Sequence, residues 1–583
     1  MANTPGAVTF VPAKHWYEGS FWGAFGPRLG LAWSPDYKSG FLHSLFGGGN
    51  KSVIRAGYGI AFDTISSFQV TAVAGKVPGL VQSCVTSFPF TTITNGCVNS
   101  PDVGKTISGG FPQQLPAPSV KPSTFFAPPQ QVRSSAPNAT VFAPQMQLPT
   151  VHEWNLSWQR ELPKGFVMEV GYIGRRGTHL FMAYDANQVD VDPLVPSFLI
   201  MQQNRAKGCA AVGTGCPAGV TGVTPSLLGA LQTQGGMTAA AAATFLNSST
   251  TVTDLNRNSV GNLAVRIENA TLGLKLRPNQ QFQVITYIDN SGDSNYHAGQ
   301  FTLRRRFSSG LGLSMAYTFG KSIDNQSVDP VGATSGGALS TTNSRTPTDI
   351  RNWNDERGRS DFDRTHVLQA ASVWDLPVGR GKRFLGSSSG IVNQILGGWT
   401  INSIYTFMTG EPFAVRSGSF TVNGSHESRA GLVRPVQAQL QTLPNQTFAG
   451  PVLFQPVELN PATGNPWTCG TNPNVTFCLP VPGTNGAGRN IFTASNYWNL
   501  DLGFIKTIQI SERFKLQFRT EMFNALNHAN FDNPRDASVG SPSIRSSLFA
   551  QVCCAAVAPP STQAVVQTGE SARVIQFGLK LLF

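Results

Sequence analysis

The sequence has little charge and no long apolar run. Only 13% of its 583 residues are charged, which is about half of the 25% that soluble domains usually carry. No stretch of 18 or more apolar residues occurs, so the sequence predicts no transmembrane helix. Only helices and closed barrels satisfy their backbone in lipid, so a membrane role would require a β-barrel.

The start of the chain also lacks a secretory signal. Residues Met1 to Pro5 have neither the basic start nor the apolar core of a signal peptide. An exported protein needs such a signal. If the chain is exported, we therefore expect it to be a fragment that lacks its natural start.

A net charge of +12 raises the question of a nucleic-acid partner. Such a partner requires the cations to be concentrated on one face or segment. Here they are scattered, and the densest run, Arg304 to Arg306, ends a predicted strand. Long basic side chains at such a position can snorkel toward headgroups. The sequence predicts no nucleic-acid binding.

The end of the chain alternates between apolar and mixed residues. A period of two predicts a strand with one apolar face, and about eleven residues suffice for a tilted strand to cross a bilayer. An ordinary sandwich strand at the end of a chain is the alternative. The ending resembles the closing strand and assembly signal of bacterial outer-membrane barrels. The apolar residues of this strand are Ile575, Phe577, Leu579, Leu581 and Phe583.

A second segment, 513–524, alternates as clearly. Its apolar positions include Phe514 and Phe518, and its polar positions predict a face toward a wet lumen or toward bulk water. Those polar residues, which we assign to the lumen, are Lys515, Gln517, Arg519 and Glu521.

The repetition of such alternating segments along the chain favours a barrel over a sandwich. Aromatic residues near strand ends, such as Trp374 and Trp399, fit an interfacial girdle, although aromatics favour any strand. The predicted strands are 27–35, 52–63, 151–162, 165–188, 281–306, 311–321, 364–376, 397–409, 496–508, 513–524 and 573–583.

The connections between these strands divide by length. If Phe583 lies at the periplasm, the turns assigned to that side are short or moderate and those assigned to the outside are long, which is the outer-membrane pattern. We predict a short helix in 225–246 of one long connection. The long connections are 64–150, 189–280, 322–363, 410–495 and 525–572.

The eight cysteines occur as close pairs within the long connections. Local pairing in an oxidising compartment explains this arrangement, and no C-x2-C pair supports zinc. The vicinal pair could instead be a strained disulfide or two free thiols. The pairs are Cys84 with Cys97, Cys209 with Cys216, Cys469 with Cys478, and Cys553 with Cys554.

Two motifs carry possible chemistry. Residues 386–390 fit the G-x-S-x-G pattern of a nucleophile elbow, but they form a Ser/Gly tract in a predicted turn. The mixed-charge segment 351–364 could face a ligand, although we interpret it as a solvated rim held by its own ion pairs. The sequence thus predicts no catalytic residue, cofactor or metal site. A secreted β-rich enzyme remains an alternative.

Several motifs, in this order, resemble the C-terminal barrel portion of Oar-like TonB-dependent outer-membrane receptors of the acidobacterial type. They cover nearly the whole chain, with the poorest match in 64–150 and 189–280. The matching stretches are 27–33, 54–59, 154–162, 171–174, 295–297, 360–366, 397–399 and 518–528.

This resemblance implies an all-β fold: an antiparallel transmembrane β-barrel of about 22 strands with a plugged lumen, of which about 11 lie in residues 1–583. It implies that a signal peptide, a carboxypeptidase-regulatory-like domain, a TonB box and a plug precede this chain. The implied partners are outer-membrane lipid and lipopolysaccharide, the barrel assembly machinery, the TonB complex through the missing part, and an unknown large ligand.

The function expected from the resemblance is a receptor that binds its ligand on extracellular loops and admits it through the lumen. Energy would come from the TonB complex, and the chain would catalyse no reaction. The alternative is a structural or adhesive outer-membrane barrel without active transport.

Overall fold

The structure is a computed structural model that carries protein atoms alone. It describes residues 23–64, 85–87, 92–94, 138–144, 146–271, 273–280, 282–327, 347–388, 390–443, 451–511, 513–531, 533–534, 543–547, 549–552 and 572–583.

One large sheet organises the described residues. Its main path contains eleven strands, and each strand pairs antiparallel with the next one in the chain. Every strand predicted from alternation overlaps one strand of this path. The strands are β1 Arg28–Trp33, β2 Ser52–Phe62, β3 Thr150–Leu162, β4 Phe166–Asp185, β5 Ile285–Ser308, β6 Leu311–Asp324, β7 His366–Asp375, β8 Trp399–Met408, β9 Tyr497–Gln509, β10 Lys515–Phe523 and β11 Val574–Leu582.

Short strands join the sheet or pair with each other in the connections. Ala139–Phe142 runs parallel to β5, and Gly358–Arg359 pairs with β6. The other short strands form two-stranded pairs: Val85–Ser87 with Thr92–Thr94, Pro412–Phe413 with Phe492–Thr493, Gly431–Leu432 with Phe477–Cys478, and Leu459–Asn460 with Asn465–Pro466.

Among the described residues, helices lie in five of the connections, and α-helices lie in three of these. Two are 3-10 helices, Pro163–Gly165 and Trp353–Glu356. The predicted helix in 225–246 is part of a larger set of five between β4 and β5. The α-helices are α1 Gly40–Phe46, α2 Val195–Ala206, α3 Ser226–Thr233, α4 Ala239–Asn247, α5 Ser249–Asn256, α6 Val260–Ala270 and α7 Gly390–Leu396. No helix among the described residues is long and apolar enough to cross a membrane.

Because neighbouring strands are antiparallel, successive connections alternate between the two ends of the sheet. One end, which we name the short-turn end, carries 34–51, 163–165, 309–310, 376–398 and 510–514. The other end, the long-loop end, carries 63–149, 186–284, 325–365, 409–496 and 524–573.

One face of the sheet, here named the outer face, is apolar across its width. Residues paired across antiparallel strands point to the same side. Phe577 pairs with Thr520, and Thr520 pairs with Phe504, so these three residues share the outer face. At the other edge, Leu29 and Leu31 are 69% and 65% exposed. Large exposed apolar side chains over the whole width fit contact with lipid hydrocarbon.

The opposite, inner face is polar. Arg175 forms an ion pair with Glu153 at 2.9 Å, and Arg55 donates a hydrogen bond to Gln159 at 2.8 Å. Both pairs join neighbouring strands. Polar residues on one face and apolar residues on the other are the alternation of a transmembrane barrel with a wet lumen.

Toward the long-loop end, the outer face carries three tyrosine–histidine pairs. In each, a tyrosine hydroxyl lies 2.7 to 2.9 Å from a histidine Nδ1 on the adjacent strand. Rings with a polar tip suit the boundary between hydrocarbon and headgroups. The pairs are Tyr58 with His152, Tyr172 with His297, and Tyr317 with His366.

Within the described residues the sheet is open. Its first and last strands, β1 and β11, each pair with one neighbour only.

Candidate functional site

The connections of the long-loop end fold together into one body, which we name the loop cap. It comprises the described residues of 186–284, 347–365, 409–496 and 543–552. Most of the buried apolar side chains of the described chain lie here rather than on the sheet. The candidate site lies in this cap.

The first part of the cap is helical and contains α2 to α6. Each helix turns an apolar stripe inward, and residues such as Phe198, Leu231 and Ile267 are fully buried. Thr238 and Ser248 cap the starts of α4 and α5 through their side-chain oxygens, which satisfies backbone N–H groups that lack a partner within the helix.

The second part of the cap is irregular and is centred on phenylalanine rings. Phe454 lies between Phe413, Phe477, Phe492 and Phe549, with ring centroids 5.0 to 6.0 Å apart. Aromatic pairs of this geometry contribute roughly 0.5–1.5 kcal/mol each beyond the area they bury. The rings supply the core that the sparse secondary structure of this part does not.

The two parts join through specific hydrogen bonds. Gly261, in the first turn of α6, donates from its backbone to the carbonyl of Phe420 at 2.8 Å. Asn258 donates to Thr468 and to the carbonyl of Pro480 at 3.0 and 2.9 Å. A Cβ at Gly261 would collide with the backbone of Asn423, so only glycine permits this close approach.

Buried ion pairs tie the cap to the sheet and correct our interpretation of 351–364. Glu356 is 2% exposed and accepts from Arg429 at 3.0 Å. Arg489 binds Asp324, at the end of β6, at 2.7 Å. The segment 351–364 is therefore not simply a solvated rim held by its own ion pairs. Its Glu356 is buried, a buried charge requires a partner, and that partner, Arg429, comes from a distant connection.

A buried histidine lies beside this network. His426 is 1% exposed and neither ring nitrogen has a hydrogen-bond partner in the described protein. Burial, followed by the charge of Arg416, lowers the pKa of His426 to about 4. Burial and the neighbouring Arg429 also lower the pKa of Arg416, to about 10. His426 is thus neutral at physiological pH.

The cap contains a cavity of about 720 Å³. This volume lies within the range of small-molecule sites, roughly 300–1,000 Å³. A smaller cavity of about 250 Å³ shares Phe454, Pro456 and Val457 with it. The larger cavity is lined by Arg257, Leu443, Val452, Phe454, Pro456, Val457, Leu459, Thr463, Gly464, Asn465, Pro466, Ile544, Arg545, Ser546, Ser547 and Phe549.

The charge of the larger cavity has one sign. Arg257 and Arg545 line it, and no carboxylate is found among the described residues of its wall. Burial, followed by repulsion from Arg257, lowers the pKa of Arg545, and the charge of Glu427 opposes this shift. An anionic ligand would relieve the repulsion between these two guanidinium groups by binding both of them. An aromatic or apolar part of the same ligand could pack against the phenylalanine rings and the guanidinium groups.

Two disulfides lie among the described residues, both in the cap. Cys209 is bonded to Cys216 after α2, and Cys469 is bonded to Cys478 in the irregular part. Each closes a short loop, with sequence separations of 7 and 9. The other cysteines, Cys84, Cys97, Cys553 and Cys554, lie outside the described residues.

The residues assigned to the lumen lie together on β10. Arg519 donates to Gln517 at 2.8 Å, and Gln517 lies 3.4 Å from Thr507 on β9. Their register partners on β11 include Lys580 and Gln576. Lys515, Gln517, Arg519 and Glu521 share the inner face with the polar pairs described above. Because the sheet is open within the described residues, their assignment to the lumen of a closed barrel stays a prediction.

The other strand prediction concerns the C-terminus. Ile575, Phe577, Leu579, Leu581 and Phe583 are all exposed, between 45% and 86%. The structure places this apolar row on the outer face, and its role as an assembly signal stays a prediction.

Sequence reasoning missed the cap cavity and the arginines that line it. Arg257 and Arg545 are 288 positions apart in the chain, and no local motif connects them. Of the G-x-S-x-G tract, residues 386–388 lie in the connection after β7, which ends at Asp375, and Gly390 is the first residue of α7. No cluster of His, Cys, Asp and Glu in the described part of the chain could hold a metal ion.

Comparisons with solved structures return outer-membrane proteins at low similarity. The outer membrane transporter YddB from Escherichia coli matches with a TM-score of 0.33 and 7% identity over 91% of this chain and 38% of that chain. The ferric-catecholate import receptor Fiu from E. coli gives 0.30 and 6% over 95% and 34%. The ferric enterobactin receptor PfeA from Pseudomonas aeruginosa, as a mutant, gives 0.32 and 7% over 96% and 40%. This chain thus spans less than half the length of the solved chains it matches.

No curated protein sequence matches the chain. A family model does: the outer membrane beta barrel domain matches residues 3–576. The match covers nearly the whole sequence, and a barrel domain agrees with the antiparallel sheet described above, with its apolar outer face and its polar inner face. The chain therefore belongs to the outer membrane beta barrel domain family, whose place is the bacterial outer membrane.

Proposed function

We propose that the protein is the C-terminal barrel part of a TonB-dependent receptor that captures an anionic ligand in its loop cap. The observation that carries this proposal is the cap cavity of about 720 Å³, with its two arginines and its phenylalanine wall. Membership of the barrel family places the sheet in the outer membrane. The folded cap at one end of that sheet gives the barrel a site for recognition.

The orientation follows from the lengths of the connections. Outer-membrane barrels have short periplasmic turns and long extracellular loops. The short-turn end is therefore the periplasmic end in this proposal, and the loop cap faces the exterior. A ligand held in the cap cavity lies at the mouth of the lumen, beside the polar inner face.

Uptake would use energy from the TonB complex, delivered through a plug and a TonB box encoded ahead of residue 1. The missing strands of a barrel of about 22 would come from the same preceding part. This division is supported by the open sheet, because its two unpaired edges would be costly in lipid and further strands would pair with them. The chain itself makes and breaks no covalent bond in this scheme.

The binding test uses two ferric chelates of similar size. A ferric tris-catecholate complex is anionic and aromatic, whereas a ferric tris-hydroxamate complex is neutral. Titration of the detergent-solubilised protein, followed by tryptophan fluorescence, should show tighter binding of the anionic complex. Double substitution of Arg257→Gln and Arg545→Gln should weaken that binding about 10-fold or more, because each charge-assisted contact contributes roughly 1.5–3 kcal/mol.

The control replaces exposed cap cations outside the cavity, Lys207→Gln and Lys275→Gln, and should leave binding unchanged. Equal binding of the two chelates, or equal effects of the two double variants, would contradict the cavity as an anion site. Uptake of a bound chelate by cells with and without TonB, measured with the protein extended by the proposed plug and TonB box, then separates transport from adhesion. Capture without TonB-dependent uptake would favour the structural or adhesive alternative.

A further inference from the structure

Two of the short turns fold into helices that lie against the outer face of the sheet. They are α1, between β1 and β2, and α7, between β7 and β8. We propose that these two helices form a phospholipid-binding rim, which lies in the headgroup and acyl boundary of the membrane and prefers anionic lipid. This inference rests on the membrane location of the family and on the outer face, and it holds whatever ligand the cap binds.

The first step is the position of α7. Lys506 pairs with Trp399 and with Phe518, so both Lys506 and Trp399 belong to the outer face. The Lys506 ammonium donates to the carbonyls of Ile395 and Gly397, and the Trp399 indole donates to the same Ile395 carbonyl at 2.9 Å. The C-terminal end of α7 is therefore fixed on the lipid side of the sheet and not over the lumen.

The second step is the direction of the helix faces. Ile391, Val392, Ile395 and Leu396 form one apolar stripe and are 47% to 78% exposed. The two polar side chains of α7, Asn393 and Gln394, bind to the protein. Asn393 accepts from the backbone N–H of Arg380 at 2.7 Å, and the Gln394 amide donates to the carbonyl of Gln509 at 3.3 Å. With its polar side bonded to protein, the stripe points away from it.

The third step is that α1 repeats the arrangement. Arg160, on the outer face opposite Ser52, donates to the carbonyl of Leu45 near the end of α1, and Ser52 donates to the carbonyl of Phe46 at 2.5 Å. Phe46 packs edge-on against Trp158 at 6.0 Å. As in α7, a cation on the outer face holds the carboxyl end of a seven-residue helix, where the helix dipole favours positive charge.

The fourth step is a groove of lipid dimensions. An apolar groove of about 400 Å³ lies between α1 and the outer face, bounded by Leu45, Phe46, Leu156, Val170 and Tyr172. It is continuous with the lipid-facing surface of β2, β3 and β4, so an acyl chain is the occupant that its position selects. Phe41, in the first turn of α1, is 78% exposed.

The fifth step is charge. The connection that contains α7 also carries Arg380, Lys382 and Arg383, all exposed, next to exposed Phe384 and Leu385. Interfacial segments that combine a cationic cluster with an apolar stripe bind anionic membranes, and each cation near the surface strengthens binding roughly 5-fold.

The test uses the membrane-embedded protein exchanged into nanodiscs that contain a phospholipid with a diazirine near the headgroup end of one acyl chain. Two arms carry the same acyl chain on phosphatidylglycerol or on phosphatidylcholine. After photolysis, labelled residues are mapped by mass spectrometry. We expect several-fold more label on 41–46 and 391–396 than on the helix-free turns 163–165 and 309–310 of the same end, and more with phosphatidylglycerol.

The charge variant is R380Q/K382Q/R383Q, and its matched control is K207Q/K275Q/R434Q at the long-loop end. The variant should lose the preference of 391–396 for phosphatidylglycerol, whereas the control should keep it. Labelling of 391–396 no greater than that of the helix-free turns would overturn the rim. Equal labelling in both lipids, or loss of preference in the control as well, would overturn its anionic specificity.

Discussion

At the scale of single residues, Gly431 shows how a disulfide constrains its surroundings. A Cβ at this position would collide with the sulfur atoms of both Cys469 and Cys478. We expect Gly431→Ala to destabilise the cap by about 1–3 kcal/mol, as overpacking of a filled core does. Thermal unfolding followed by near-ultraviolet circular dichroism measures the loss.

Gly229 provides the control for that substitution. It lies within α3, and a Cβ there would meet no atom within 4 Å. Gly229→Ala should raise stability by up to about 1 kcal/mol, because alanine has the higher helix propensity. A Gly431→Ala protein as stable as Gly229→Ala would show that the disulfide can move aside.

His426 predicts a pH dependence. The folded state keeps His426 neutral down to about pH 4, whereas the unfolded chain takes up a proton below its ordinary pKa of about 6.5. Protonation therefore favours unfolding. The contribution of His426 is complete above pH 6.5 and is lost as the pH falls toward 4, by roughly 3 kcal/mol at most. Melting temperatures between pH 7.5 and 4.5 measure this loss.

Carboxylates elsewhere also titrate in this range, so the comparison that isolates His426 uses His426→Gln. Glutamine is neutral throughout, and the variant should lose less stability than the native protein between pH 6.5 and 4.5. Parallel stability curves for the two proteins would contradict the assignment of a depressed pKa to His426.

At the scale of elements, the sequence predicts strands better than it predicts the cap. Each strand carries its own signal, because side chains alternate between lipid and a polar face over six residues in β1 and over nine or more in the others, as in β11. The cap depends on contacts without local pattern. Arg429 meets Glu356 from 73 positions away, and Arg489 meets Asp324 from 165 positions away.

The same difference explains why the segment 351–364 was misinterpreted as a solvated rim. A run of mixed charges shows that ion pairs will form, but not with which partner. Pairing inside the run does occur, between Arg359 and Asp363 at 2.8 Å. Glu356 can be buried because Arg429, from another connection, pairs with it. The composition of 351–364 cannot predict a partner that lies elsewhere in the chain.

The faces of β11 give an element-scale prediction. Phe577 lies on the outer face and Gln576 on the inner face, at adjacent positions near the middle of the strand. Phe577→Arg should cost about 2–4 kcal/mol in lipid, as basic residues do at the bilayer midplane. Gln576→Arg should cost little, because its side chain enters a polar lumen. Urea-dependent folding into lipid vesicles, with the chain extended by the preceding strands that the proposed receptor requires, measures both.

These two variants carry the same new side chain one residue apart, so differences in charge or expression cannot explain a difference in stability. Equal destabilisation would show that the two faces do not separate lipid from lumen. A larger effect of Gln576→Arg would reverse the assignment of the faces.

At the scale of the whole molecule, three layers follow one another along the barrel direction. The loop cap holds a cavity and a charged interior, the sheet separates an apolar from a polar face, and the short-turn end carries helices on the apolar side. Polar and aromatic groups bound the apolar band at both ends: tyrosine–histidine pairs toward the cap, and Lys506, Trp399 and Arg160 toward the turns. A bilayer is the environment that this sequence of layers fits.

The edges of the sheet give the last prediction. Within the described residues, β1 pairs only with β2 and β11 only with β10. Unpaired backbone groups in hydrocarbon cost several kcal/mol each, so both edges need partners in the membrane. We expect residues 1–583, exported by an added signal peptide, to be removed from outer membranes by urea washing. The same chain extended by the preceding strands that the proposed receptor requires should resist urea and should show heat-modifiable migration on gels. Native mass spectrometry of any urea-resistant 1–583 species tests the opposite outcome: a monomer would mean that the chain closes on itself, and a dimer would mean that a second copy supplies the missing edges.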